Sequence, residues 1–234
     1  MIGYATSTLS ACGQDTTAGA LYETDAFRRH RRPRQLMPAT SAGSRARHHR
    51  TGAHTGQAAG SLAGKITVVQ GDALKADDVR RALPAGTDAI LFAIGVDEKT
   101  SPPDLCTDVT RHILTVMREQ AIPRLVWCGG GSNFLPGDEI TFGAKFVRWY
   151  SETFLKHRHF DKEHQLALLQ QNTDVNWYGI RPLQMGKGPR RERYRLGYHR
   201  FSGLSKITFA DCAHAMLGML EDDTWLHKAP IVQY

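Results

Sequence analysis

A chain of 234 residues, 41% hydrophobic and 23% charged, has material for one α/β domain with a sizeable core. The net charge of +7 is unevenly spread: residues 1–60 hold eight Arg against three acids, leaving 22 basic and 20 acidic residues beyond them. That pattern reads as a solvated basic front end and argues against a nucleic-acid partner, and no run of about 18 apolar residues is present to span a membrane.

Residues 1–64 are rich in Gly, Ala, Thr, Ser, Arg and His and offer no β-branched run that would make a buried parallel strand. A short helix fits around Ala18 to Arg29, and the composition from Ala39 to Gly64 predicts loop or disorder. Met1 onward lacks the charged start and apolar core of a Sec-type signal peptide. Cys12, Cys106, Cys128 and Cys212 are scattered and suggest no disulfide framework, so a reducing cytoplasm is expected.

Regular patterning begins at Lys65, so 1–64 is read as an irregular N-terminal segment and 65–234 as the folded domain. Residues 66–70 predict a strand that runs into Gly71-Asp72. A short helix over 77–83, with acids at its amino end, leads to a second strand over 89–94 closed by Gly95. The helix from Asp104 to Gln120 places Leu105, Val109, Ile113, Val116 and Met117 near one face. A third strand, 124–128, ends at Gly129-Gly130-Gly131. The repeated strand–helix–strand order predicts right-handed crossovers and a doubly wound, mostly parallel sheet.

Beyond Gly131 the pattern predicts a helix beginning over 144–150 and a longer one over 154–171, anchored by Phe160, Leu166, Leu168 and Leu169. Further strands are expected at 175–180, 194–196 and 229–232, with a helix over 212–220.

The candidate residues collect at strand ends, where ligands of parallel α/β sheets bind. Asp72 can accept a hydrogen bond from an adenine amino group, or serve a turn. Ala93, Ile94 and Gly95 offer a flat wall with backbone room, or plain packing. Cys128 reads first as a small core residue, and as a nucleophile only if its pKa is lowered. Ser132 can bond a carbonyl or phosphate. His157 and Asp161, and His159 and Glu163, stand four apart, which reads as helix-surface charge pairing ahead of a metal site; no metal is expected. Tyr150 and Lys156 are six apart, so they do not form a Tyr-x-x-x-Lys face. Arg190, Arg191, Arg193, Arg195 and Arg200, with Tyr194, Tyr198 and Phe201 between them, suit a phosphate-and-stacking surface or a solvated flap.

Four segments together resemble the atypical, NAD(P)-binding short-chain dehydrogenase/reductase family, the group of NmrA-like regulators and biliverdin/flavin reductases. They are 66–74, 88–95, 124–128 and Asp174-Val175-Asn176-Trp177-Tyr178-Gly179-Ile180-Arg181-Pro182, the last similar to the family's Asp-Trp-Thr-Ile-x-Arg-Pro. Residues 207–213 resemble its Ile-Ser-x-x-Asp-Val-Ala. The resemblance implies a Rossmann-like fold, NADP or NAD as cofactor, and hydride transfer to a small carbonyl, quinone or flavin-like acceptor. The alternative is a non-catalytic NAD(P)-sensing or protein-interaction role of NmrA-like type, by a monomer or homodimer. It also implies that Asp72 and Ala73 border the adenine, and that Ala93, Ile94 and Gly95 line the cofactor's centre. Cys128 and Gly129, with Pro182 and Leu183, would then stand on the nicotinamide side, and Ser132 would place the acceptor. One departure stands out: the family opens on a hydrophobic strand followed by Gly-x-x-Gly-x-x-Gly, whose backbone meets the pyrophosphate, and no such run is found upstream of Lys65. A diverged replacement, a fold that the sequence hides and a shifted reading frame are all open explanations.

Overall fold

The computed structural model describes residues 21–23, 49–50, 67–69, 71–198 and 204–234. In chain order, strands β1 (Leu21–Glu23), β2 (His49–Arg50) and β3 (Thr67–Val68) precede helix α1 (Ala76–Ala82), strand β4 (Ile90–Phe92), helix α2 (Leu105–Gln120) and strand β5 (Arg124–Cys128). Helices α3 (Phe142–Phe154) and α4 (Lys156–Gln170) lead to β6 (Asn176–Pro182), β7 (Gln184–Gly186), β8 (Arg195–Gly197) and β9 (Lys206–Thr208). Helix α5 (Phe209–Gly218) and strand β10 (Ile231–Gln233) follow.

The main sheet has the order β1-β4-β5-β6-β10-β8. Its centre is parallel: Phe92 stands opposite Trp127, Trp127 opposite Gly179, and Ile231 opposite Arg181. The edge strands β1 and β8 run antiparallel to their neighbours. Ahead of Lys65, where no buried parallel strand is expected, β1 pairs antiparallel with β4 and β2 pairs in parallel with β3. The strand expected over 66–70 is described as β3, which pairs in parallel with β2 and not with β4. Within the helix expected around Ala18 to Arg29, Leu21–Glu23 form a strand because their backbone pairs with β4, and within the loop or disorder expected from Ala39 to Gly64, His49–Arg50 form β2; the rest of both segments lies outside the described residues.

Because successive side chains of a strand face opposite ways, the sheet divides its apolar residues between two layers. Ile90, Phe92, Leu125, Trp127 and Trp177 pack with Val109, Ile113 and Met117 of α2 and with Leu166 and Leu169 of α4. Val126, Cys128, Tyr178, Ile180 and Val232 pack on the other side with Cys212, Ala215 and Met216 of α5. Helices on both faces of a mostly parallel sheet make this a doubly wound, Rossmann-like α/β fold. Gly179 serves that packing, since a Cβ there would stand 2.6 Å from the Trp127 indole nitrogen.

Two polar devices position the parts above the sheet's carboxyl edge. The first fixes α4. Asp161, expected on a helix surface beside His157, is instead buried, and its carboxylate accepts from the Cys106 and Thr107 N–H groups at 2.7 and 2.9 Å. It thereby satisfies the open amino end of α2 while tying α4 to it. Glu98 does the same for α4, accepting from the His157 and Arg158 N–H groups. Phe160, expected as a core anchor, is 40% exposed, and the polar Gln165 takes an inward position, bonding Thr110 at 2.8 Å.

The second device fixes the loop after β5. Arg181 is fully buried and meets the Asp138 carboxylate with two nitrogens, at 2.7 and 2.8 Å. The same guanidinium donates to the Asn133 and Ala229 carbonyls. A buried charge needs such complete pairing, and here it pins the loop to β6. The Arg-rich segment is likewise partly structural: Arg191 stacks on Tyr234, and the Arg191 and Glu192 N–H groups donate to Asp211.

Candidate functional site

The site begins where β4 and β5 end. β4 runs out through Ala93 and Ile94 to Gly95, whose Cα opens on empty space: a Cβ built there meets nothing within 4 Å. Beside it stands a residue that no motif spacing marks. Lys162 of α4 is only 6% exposed, and its Nζ donates to the Ile94 carbonyl at 3.3 Å and to Gln165 Oε1 at 3.1 Å. The Phe92 ring lies 5.6 Å from the ammonium. Tyr-x-x-x-Lys spacing does not reveal this lysine because Arg158 occupies the position four residues earlier; its guanidinium is spent on the Val96 carbonyl. A buried lysine is costly unless paired, so its burial at a strand end, facing a main-chain oxygen, is the strongest chemical feature of this edge.

The glycine loop crosses beside it. A Cβ on Gly131 would lie 2.9 Å from the Leu183 Cα, and the Gly131 N–H donates to the Pro182 carbonyl at 2.9 Å, so the loop lies directly on the chain leaving β6. A Cβ on Gly130 would stand 3.9 Å from Ser132 Oγ and 3.9 Å from Lys162 Cβ. The serine hydroxyl and the base of the lysine therefore flank one glycine. Gly129 donates its N–H to the Ile180 carbonyl.

Ser132 Oγ is 3.0 Å from Nδ1 of His159. The imidazole is buried, and its Nε2 faces Glu163 at 3.7 Å and Glu152 at 3.8 Å, beyond hydrogen-bond reach. Burial pushes the His159 pKa below its ordinary 6.5; Glu163 and Glu152 oppose this and Arg148 adds to it. The sequence pairs His159 with Glu163 on a helix surface, and the structure puts the ring inside.

Cys128 faces the other layer. Its sulfur is buried against Cys212, whose hydrogen bond lowers the Cys128 pKa more than burial raises it, with Lys162 helping; the Cys212 thiol is raised correspondingly. Asp72 and Ala73 stand apart at the entry to α1. Asp72 is exposed, its Oδ1 accepts from the Leu74 N–H at 3.0 Å and its own N–H donates to Asp78, which is a turn role. The structure thus brings Lys162 to Ile94 and to Gly130, lays Gly129 and Gly131 on Ile180, Pro182 and Leu183 of the neighbouring strand end, sets Cys128 in the core, and leaves Asp72 and Ala73 at a separate strand end.

A profile described as NAD(P)H-binding matches residues 42–223. No curated protein matches the chain in sequence. Among solved structures, a Lactobacillus casei protein is similar at 22% identity, over 79% of this chain and 86% of that one, with a TM-score of 0.61. A Veillonella parvula short-chain dehydrogenase/reductase in complex with NADP is 13% identical over 73% of each chain, with a TM-score of 0.55. An oxidoreductase from Lactococcus lactis is 14% identical over 73% of this chain and 72% of that one, also at 0.55. These likenesses bear on the fold. The profile spans most of the chain, and with it the protein belongs to the NAD(P)H-binding family, whose cofactor class is a nicotinamide dinucleotide.

Proposed function

We propose that the chain is an NAD(P)H-dependent reductase acting on a small carbonyl, quinone or flavin-like acceptor. The observation that carries the reading is Lys162, a buried cation held at the carboxyl end of β4 beside the open Cα of Gly95. The residues present fit a dinucleotide. The Lys162 ammonium has three N–H bonds; they serve Ile94, Gln165 and the Cys106 thiol, so it would act on a dinucleotide through its positive charge. Ala93, Ile94 and Gly95 would line the centre of the cofactor and Asp72 and Ala73 its adenine end. Gly129, Pro182 and Leu183 would border the nicotinamide, with Ser132 on the acceptor side. Cys128, buried against Cys212, would shape the pocket wall from behind. When bound, the reduced nicotinamide supplies the hydride. The chain's own residues orient it and keep water from the reacting centre.

The second reading is a non-catalytic NAD(P) sensor of NmrA-like type. It is favoured by Arg158, which stands where a proton-donating tyrosine would precede Lys162 and is committed to the Val96 carbonyl. Steady-state turnover with NADPH and NADH across quinone, flavin and aldehyde acceptors separates the two. Turnover with any acceptor supports the reductase; saturable cofactor binding with no turnover supports the sensor.

A further inference from the structure

Reduction of a carbonyl needs a proton as well as a hydride, and the position four residues before Lys162 holds an arginine already bonded to main chain. The Ser132–His159 pair stands at the same edge. Ser132 is half-buried, and its Oγ lies as near to a Cβ built on Gly130 as Lys162 Cβ does, at 3.9 Å. Behind it, His159 Nδ1 lies at hydrogen-bond distance. The His159 carbonyl accepts from Asn133 Nδ2 at 3.1 Å, so the backbone of α4 and the loop are fastened independently of the ring. The ring's far nitrogen has no hydrogen-bond partner among the described residues and faces two carboxylates.

We propose that Ser132 is the proton donor of this site and that His159 acts through it, which commits the acceptor to a compound whose reduction ends on oxygen: an aldehyde, a ketone or a quinone. The inference rests on the reductase reading above. As the acceptor carbon takes hydride, the C=O π pair moves to the oxygen. That oxygen takes the Ser132 hydroxyl proton, and Ser132 Oγ takes one from Nδ1 of the His159 imidazolium. The imidazole is left neutral with its remaining proton on Nε2, towards Glu152 and Glu163. After product leaves, a solvent proton returns to Nδ1 by way of Ser132. In the reverse direction, the neutral imidazole accepts the proton of an alcohol through the same hydroxyl.

The groups that face the ring set its proton affinity: Glu163 on its own helix, Glu152 and Arg148 on α3, Ser132 on the loop, and the edge of Phe160. Since burial is the largest effect and holds the ring neutral at neutral pH, carbonyl reduction should fall as pH rises through a pKa below 6.5, and alcohol oxidation should rise over the same interval.

The test uses the full chain as wild type, Ser132→Ala, Ser132→Thr and His159→Gln. NADPH affinity is read by fluorescence and kcat by benzaldehyde and phenanthrenequinone reduction from pH 5 to 8. The His159 ring is followed by nitrogen NMR without cofactor. Ser132→Ala is expected to lower kcat about 100-fold with NADPH affinity unchanged, and Ser132→Thr to restore most of it. His159→Gln is expected to remove the pH dependence, and the wild-type ring to titrate below 6.5. A Ser132→Ala protein with wild-type kcat and pH profile overturns the proton relay and leaves the reductase reading intact. Wild type that binds NADPH without reducing either carbonyl also overturns the relay while the cofactor site stands. Wild type that binds neither NADPH nor NADH removes the reductase reading itself.

Discussion

The Nζ of Lys162 donates to the carbonyl oxygen of Ile94 across 3.3 Å, joining the middle of α4 to the chain that leaves β4. This bond puts a positive charge at the carboxyl edge of the sheet, where a parallel α/β fold places its ligands. Asp161, the preceding residue, anchors the same turn of α4 to the amino end of α2, so the lysine is held from a rigid base.

Lys162→Gln keeps a donor for the Ile94 carbonyl and removes the charge. It should weaken NADPH binding about tenfold or more, on the order of 1.4 kcal/mol, while the melting temperature stays near that of wild type. Fluorescence titration and circular dichroism of the same samples check this; unchanged affinity would detach Lys162 from the cofactor.

The buried Arg181–Asp138 pair predicts a large stability effect. Asp138→Ala leaves the guanidinium without its carboxylate and should cost about 3–5 kcal/mol in urea unfolding. Loss of this anchor should also loosen the loop carrying Ser132, visible as faster amide exchange at 130–137.

His159 should make the fold sensitive to acid. Its folded pKa lies below 6.5, chiefly through burial, so the unfolded chain binds more protons over that interval. The stability it contributes is full above 6.5 and is lost as pH falls from there through the folded pKa. Urea midpoints for wild type should drop between pH 7 and 5 more steeply than those of His159→Gln.

The thiols should differ in reactivity. Burial pushes Cys106 up to about 11, whereas the Cys212 hydrogen bond lowers Cys128. Iodoacetamide should modify Cys128 ahead of Cys106, and Cys212→Ala should slow the Cys128 reaction at neutral pH. Mass spectrometry of timed samples distinguishes the sites.

The centre of the fold was legible because β4, Leu125 to Cys128 of β5 and Trp177 to Ile180 of β6 are apolar runs and α2 keeps its apolar residues in helical register. The edges were not: β7 (Gln184–Gly186) is three exposed residues with no apolar run, and it becomes a strand by pairing with β9. At the site, the strand-end residues Ile94, Gly95 and Gly129 could be named because small residues after an apolar run mark the ligand edge. Lys162 and His159 could not, since both lie in a stretch of α4 crowded with charges, and only the packing of α4 against α2 decides which of them turn inward. Asp161 illustrates the point: a helical wheel puts it with His157 on a surface, and the free N–H groups of α2 draw it into the core.

The most direct test is a fluorescence titration of the wild-type chain with NADPH and with NADH. Saturable binding of at least one of them in the micromolar range is the predicted result. No saturation by either at high micromolar concentration would contradict the assignment of the β4–β5 edge and Lys162 as a nicotinamide dinucleotide site.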